Sequence, residues 1–291
     1  MLRTHGRYPY SPIVDRPAGR WPNGQGLAVY VALNLEHYAW GEGLVEDLVP
    51  GIPKPDVLNN SWREYGNRVG AWRLLELLRS LSLPVTLLIN SELYAACPEL
   101  IAAFRDCGAE IASHGRTNSE HQADLAEPEE RALIERVTRT IAQHEGRPPA
   151  GWLSPWIAET ERTPDLLQEA GYHYLLDWCM DDQPVWLRTR GGRILAVPYP
   201  QELNDSAAII GRHVGARDFA DMVIDQFDEM LEQSLNGQPL VMGIALHAMI
   251  AGQPFRVRAL RGALQHIARH REVCWLTTAG AIAEHFAAVG E

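Results

Sequence analysis

Polar residues close four apolar runs of this chain: Asn34-Leu35-Glu36-His37 after LAVYVAL, His114 after EIAS, Asp177 after YHYLL, and His247 after LVMGIAL. A carboxylate accepts a proton, and an imidazole, titrating near neutral pH, accepts or delivers one, so these are the residue types of general acid–base catalysis. When strands alternate with helices, side chains at strand C-termini converge on one face of a parallel sheet or barrel. The pattern therefore reads as an enzyme with its chemistry at that face.

The elements needed to position those residues are visible as an alternation. Short apolar runs at 27–34, 85–90, 109–113, 151–154, 172–176, 194–197, 240–246 and 273–276 predict eight strands. Amphipathic patterns between them predict helices at 69–81, 98–107, 128–144, 163–170, 218–233, 257–270 and 279–288. Pro98, Pro128 and Pro164 suit first helical turns, and Gly108 and Gly171 suit helix ends. Three stretches break the alternation: an irregular arm at 1–26, a loop at 41–60 rich in Gly and Pro, and a connection at 198–217. Loops this long in a compact domain are usually functional or disordered, and the one after Glu36-His37 is placed to cover a site mouth. Residues 27–291 read as a single domain following the arm.

Composition removes several function classes. With 291 residues, 46% of them hydrophobic and 22% charged, the chain is long enough to bury a large core. Its net charge of −11 opposes broad attraction to nucleic acid or anionic lipid. It lacks a membrane-length apolar run, and residues 1–26 lack a signal-peptide core, so a soluble cytoplasmic protein is expected. Cys97, Cys107, Cys179 and Cys274 are scattered and read as reduced structural thiols. Phosphate-loop, GxGxxG, GxSxG and HExxH motifs are missing. The arginines at 256, 258 and 261 read as a solvated helix face.

The ordered segments NLEH, SWREYGNRVGAWR, EIASHG, GWLSP, LLDWCMDDQPVW, VPYPQELND and ALHAMIAGQPFRVRAL resemble the polysaccharide deacetylase superfamily of carbohydrate esterase family 4 type, particularly its allantoinase-like branch. The resemblance covers roughly residues 20–285. It implies an α/β fold, a distorted (β/α) barrel of seven or eight strands, with one of the eight predicted strands outside the barrel. It also implies hydrolysis of an amide carbon–nitrogen bond.

Residue by residue, the resemblance gives Glu36 the place of the catalytic base and His37 that of a metal-binding carboxylate. His114 matches the first of two metal histidines, but Asn118 stands at the second. His37, His114 and an Asn118 oxygen thus form the candidate set for a single divalent metal, zinc being the best suited, with His121 a further candidate. Allantoinase-like members also depart from the full metal triad, so no cofactor at all is the other expectation. His247 takes the place of the acid that protonates the leaving nitrogen. Leu153 replaces an arginine that braces sugar-deacetylating relatives.

Arg68, Trp156, Asp177, Asn204 and Asp205 are the candidate substrate contacts: a planar guanidinium for a urea-type carbonyl, an aromatic wall, and polar groups for amide edges. Ordinary roles compete at each, a helix brace for Arg68, core packing for Trp152 and Trp156, a turn for Asn204-Asp205, and capping for Asp177, Asp181 and Asp182. The expected activity is hydrolysis of a small linear or cyclic amide or ureide. The alternatives are N-deacetylation of an amino sugar or glycan and a catalytically silent ligand-binding barrel. The expected partner is a small-molecule amide, without nucleic acid or membrane, and relatives of this kind suggest a homo-oligomer.

Overall fold

Residues 4–289 are described by a computed structural model. Every residue of β1 (Leu27–Leu35) is buried, as expected of a central parallel strand covered on both faces. β2 (Val85–Ile89), β3 (Glu110–Ser113), β4 (Gly151–Trp152) and β5 (Tyr174–Leu175) follow it in parallel along one side. A hairpin of β6 (Val185–Thr189) and β7 (Gly192–Ala196) ends that side, with β7 against β5. β8 (Leu240–His247) lies on the other side of β1, and β9 (Trp275–Thr277) pairs with Ala28–Tyr30 below β2. The sheet order is β6-β7-β5-β4-β3-β2-β1-β8, with β9 off this path.

The result is the expected α/β barrel-like sheet, with one addition. All eight predicted runs are strands, and the last lies off the main path. The ninth strand, β6, runs antiparallel and falls between the runs at 172–176 and 194–197, where no element is predicted. Its alternation is broken by Arg188, while Arg190-Gly191 forms the two-residue hairpin connection. The outer edge of β8 is covered by loop backbone: Ala245 N donates to Leu203 O at 2.9 Å, and Val241 N to Asp182 O at 2.8 Å. Such covering blunts an exposed strand edge.

The helices are α1 (Val57–Tyr65), α2 (Ala71–Ser80), α3 (Leu93–Ala96), α4 (Pro98–Asp106), α5 (Glu127–Glu145), α6 (Thr163–Glu169), α7 (Ala216–Ser234), α8 (Ala248–Ala251), α9 (Pro254–Arg269) and α10 (Ala279–Val289). The loop expected through residue 60 ends earlier, because Asp56 caps α1 by accepting from Asn59 N at 3.0 Å. A π-helical turn, Gly66–Gly70, joins α1 to α2. Gly70 packs against α8 so closely that a Cβ there would meet Ala248 O at 2.1 Å. A second π-helical turn, Ser206–Gly211, interrupts the long connection before α7. Among the described residues, no helix is long and apolar enough to cross a membrane.

Strand parity divides the core and aims the site. Leu27, Val29, Val31, Leu33 and Leu35 pack outward against helices, whereas Ala28, Tyr30 and Ala32 pack inside with Leu88, Ala112, Val241, Ala245 and Ile282. Side chains alternate along a strand, so even positions of β1 face inward. Continued past the strand end, that parity sends Glu36 inward and His37 outward.

Candidate active site

Five loops at the strand C-termini surround a cavity of about 150 Å³. Glu36 follows β1, Asn118 and His114 follow β3, Trp156 follows β4, Asn204 follows β7, and His247 ends β8. The register Asn34↔His247 between β1 and β8 brings Glu36 and His247 together although 211 positions separate them in the sequence.

Three groups converge on one carboxylate oxygen. Asn118 Nδ2 donates to Glu36 Oε1 at 2.5 Å, while His114 Nε2 and His247 Nε2 stand 3.5 and 3.6 Å from it. Tyr38 donates its hydroxyl to Glu36 Oε2 at 2.7 Å. Burial alone would push the Glu36 carboxyl up by disfavouring its charged form, but the His247 charge, His114 and the Tyr38 hydrogen bond outweigh it and hold the carboxyl below its ordinary 4.5. Glu36 is therefore ionised at neutral pH.

His247 is shifted the other way. Its Nδ1 donates to Asp205 Oδ1 at 2.6 Å, and the same carboxylate accepts from the backbone N–H groups of His247 and Ala251 at 3.0 and 3.1 Å. Burial works against the charged ring, but Glu36 and Asp205 dominate and push His247 up to about 10. An isolated imidazole titrates near neutrality. The fold instead makes it a stored imidazolium, because two carboxylates flank it.

This arrangement changes the assignments of Asp205 and Asp177. Asp205 is fully buried and outside the cavity lining, so it orients His247 rather than touching a substrate. Asp177 is also outside the lining, receiving Ser154 N at 3.0 and 3.2 Å on its two oxygens. It thereby braces the turn whose Leu153 carbonyl accepts from His114 Nδ1 at 2.9 Å. Burial raises Asp177 to about 6. The backbone of Leu153, not its side chain, orients His114.

Arg68 is exposed on the π-helical turn and does not line the cavity; Asn67 beside it donates to Glu36 O at 2.7 Å. Trp156 does line it, donating Nε1 to Asn118 O at 2.8 Å. Trp156 and Ile157 both have left-handed backbone, with φ of 62° and 53°, a strained conformation for bulky residues. Asn204 lines the cavity and uses its Oδ1 to accept from Ser206 N at 3.0 Å. His121 pairs with Asp124 at 2.9 Å, and Trp152 is core, bonded to Ser154. Asp181 pairs with Arg16 elsewhere.

The expected metal set is not assembled. His37 lies outside the cavity lining, and the charges acting on it are those of Glu92, Glu64 and Arg116. Asn118 turns its Oδ1 to Asn90 Nδ2, 3.0 Å away, and its amide nitrogen to Glu36. Among the described residues, no group of three or more His, Cys, Asp or Glu is arranged to hold a metal ion. In this arrangement the donors do not fit a divalent metal, and the chemistry below uses none.

The cavity lining also includes polar residues given no role in the sequence reading, among them Asn34, Tyr38, Glu46 and Ser206. Asn34 and Tyr38 share the parity of Glu36 and were legible from it. Asn34 Oδ1 is buried without a hydrogen-bond partner, although its Nδ2 serves Tyr199 and Leu246 O, each at 3.1 Å. Glu46 comes from the irregular loop, where no local pattern marked it.

Comparisons with known proteins agree with this architecture. Residues 64–175 match the family model described as polysaccharide deacetylase. A Schizosaccharomyces pombe protein named as a polysaccharide deacetylase is 27% identical, the match covering 92% of each chain. The structure of a Pseudomonas aeruginosa protein, described as a polysaccharide deacetylase, superimposes with a TM-score of 0.85 at 27% identity, covering 97% of this chain and 99% of that one. A structure titled PuuE allantoinase gives the same TM-score and identity, covering 97% and 98%.

Proposed function

We propose that the chain is a hydrolase of the polysaccharide deacetylase type, acting on the carbon–nitrogen bond of a small amide or ureide, with Glu36 as base and His247 as acid. The observation that carries the choice of substrate is the cavity. At about 150 Å³ it is well below the roughly 300 Å³ at which ordinary ligand pockets begin, so a compact molecule fits it better than a glycan chain. The unpaired Asn34 Oδ1 adds an acceptor for a substrate N–H, since buried polar atoms normally find partners.

Glu36 and His114 hold the attacking water. His114 Nδ1 is committed to the Leu153 carbonyl, which leaves Nε2, 3.5 Å from Glu36 Oε1, facing the water whose hydrogen that carboxylate oxygen accepts. As the new C–O bond forms, the water proton passes to Glu36. His247 then protonates the leaving nitrogen through Nε2 as the C–N bond breaks. The 3.6 Å separation of His247 Nε2 and Glu36 Oε1 lets the proton return to the imidazole and closes the cycle.

N-deacetylation of an amino sugar is the second reading, supported by the name of the yeast relative. An activity screen over cyclic ureides, linear amides and N-acetylated hexosamines, before and after chelation, separates the two. The expected result is ureide turnover that survives chelation within about twofold, since the proposed chemistry needs only side-chain acid and base. Turnover of acetylated hexosamine alone would reverse the choice, and complete loss on chelation would put a metal in the mechanism.

A further inference from the structure

Glu46 lies between β1 and α1, where no regular element positions it, yet it lines the cavity with Glu36 and His247. Its loop is nevertheless docked. Leu44 N donates to Ser119 O at 3.0 Å, and Gly43 sits so near that a Cβ would come within 2.1 Å of the same oxygen. Arg63 Nη1 donates to the Glu46 carbonyl at 2.8 Å, and the Ser206 hydroxyl donates to Glu46 Oε1. Glu36 and Tyr38 face it from the end of β1, Asp205 from ahead of the second π-helical turn, and His247 from β8. Burial, opposed by His247 but reinforced by Glu36 and Asp205, pushes Glu46 up to about 7.

The base and the acid of the proposed reaction are Glu36 and His247, so a second carboxyl in so small a space has another task. A carboxylate presents two oxygens, and a ureido group presents N–H donors in one plane to meet them. We propose that Glu46 determines specificity, accepting the N–H groups of a ureido arm beside the scissile bond. This rests on the ureide reading above. Ser206 aims the carboxyl, and the docked loop fixes its distance from the reacting atoms.

The test compares allantoin, a cyclic ureide carrying a ureido arm, with hydantoin, the same ring without it. The ratio of their kcat/KM values cancels the ionisations of Glu36 and His247, which both substrates share. In the unmodified protein the ratio should favour allantoin by at least about tenfold, the effect of a hydrogen bond to a charged group. It should rise with pH through about 7, as the carboxylate form accumulates. Glu46→Gln, nearly isosteric, and Glu46→Ala should both collapse the ratio towards one and flatten its pH dependence.

A flat ratio across that pH range in the unmodified protein overturns the assignment even if the variants fold poorly. Equal losses on both substrates overturn it too, leaving Glu46 as a loop brace. Turnover of both rings at equal rates removes only the role of Glu46. Turnover of neither ring removes the ureide reading together with it.

Discussion

The two ends of the sheet carry very different cavities. At the N-terminal ends of β1 and β8, the arm encloses about 810 Å³ lined by Tyr8, Pro12, Trp21, Trp186 and Phe286, against about 150 Å³ at the mouth. In the larger one Arg16 lies 2.5 Å from Asp181, and burial raises the neighbouring Asp182. In the smaller one Glu36 is held below its ordinary range, Glu46 is pushed to about 7, and His247 is raised to about 10. Volume does not mark chemistry. Titratable groups displaced in opposite directions within one small space do.

Substitutions should separate the two ends. The largest expected effect is at the mouth: Glu36→Gln and His247→Ala should each lower kcat by about 10²–10⁴-fold while far-ultraviolet circular dichroism stays native. A rate within threefold of the unmodified protein would remove that residue from the chemistry.

Next comes the support of the acid. Asp205→Asn should lower kcat by about 10²-fold or more, because the imidazolium loses its counter-charge. Between a Glu36 limb below 4.5 and a His247 limb near 10, kcat/KM of the unmodified protein should be flat for a substrate without a ureido arm. The variant's alkaline limb should move down towards the ordinary 6.5. Linkage gives the matching sign in stability. A raised histidine contributes fully below 6.5, and the contribution is lost as pH rises through about 10. An alkaline limb that does not move would break the Asp205–His247 link.

The smallest effect on rate is expected at the far end. Trp21 is buried and donates Nε1 to Leu240 O at 2.8 Å. Trp21→Ala should cost about 3–5 kcal/mol in denaturant unfolding and leave kcat unchanged at temperatures where the variant is folded. A fall in kcat without loss of stability would show that the two ends communicate.

Much of the site was legible because parity is local. The alternation of β1 already separated Glu36 from His37, and that of β8 placed His247 with inward-facing Ala245. Applied to Leu175 and Leu176, the same rule turns Asp177 away from the cavity, which residue type alone had not indicated. Arg68 illustrates the limit. A π-helical turn changes the angular step between residues, so Asn67 reaches Glu36 O while Arg68 stays exposed.

By itself the sequence determined the alternating elements, the strand-end residues and their inward or outward aim, since hydrophobic period and turn chemistry act over a few neighbouring residues. Tertiary structure decided the rest. The register between β1 and β8 joined Glu36 to His247, a docked loop brought in Glu46, and the flanking carboxylates made His247 a cation. Charge states depend on distances in space between groups far apart in the chain, and no local pattern encodes those distances.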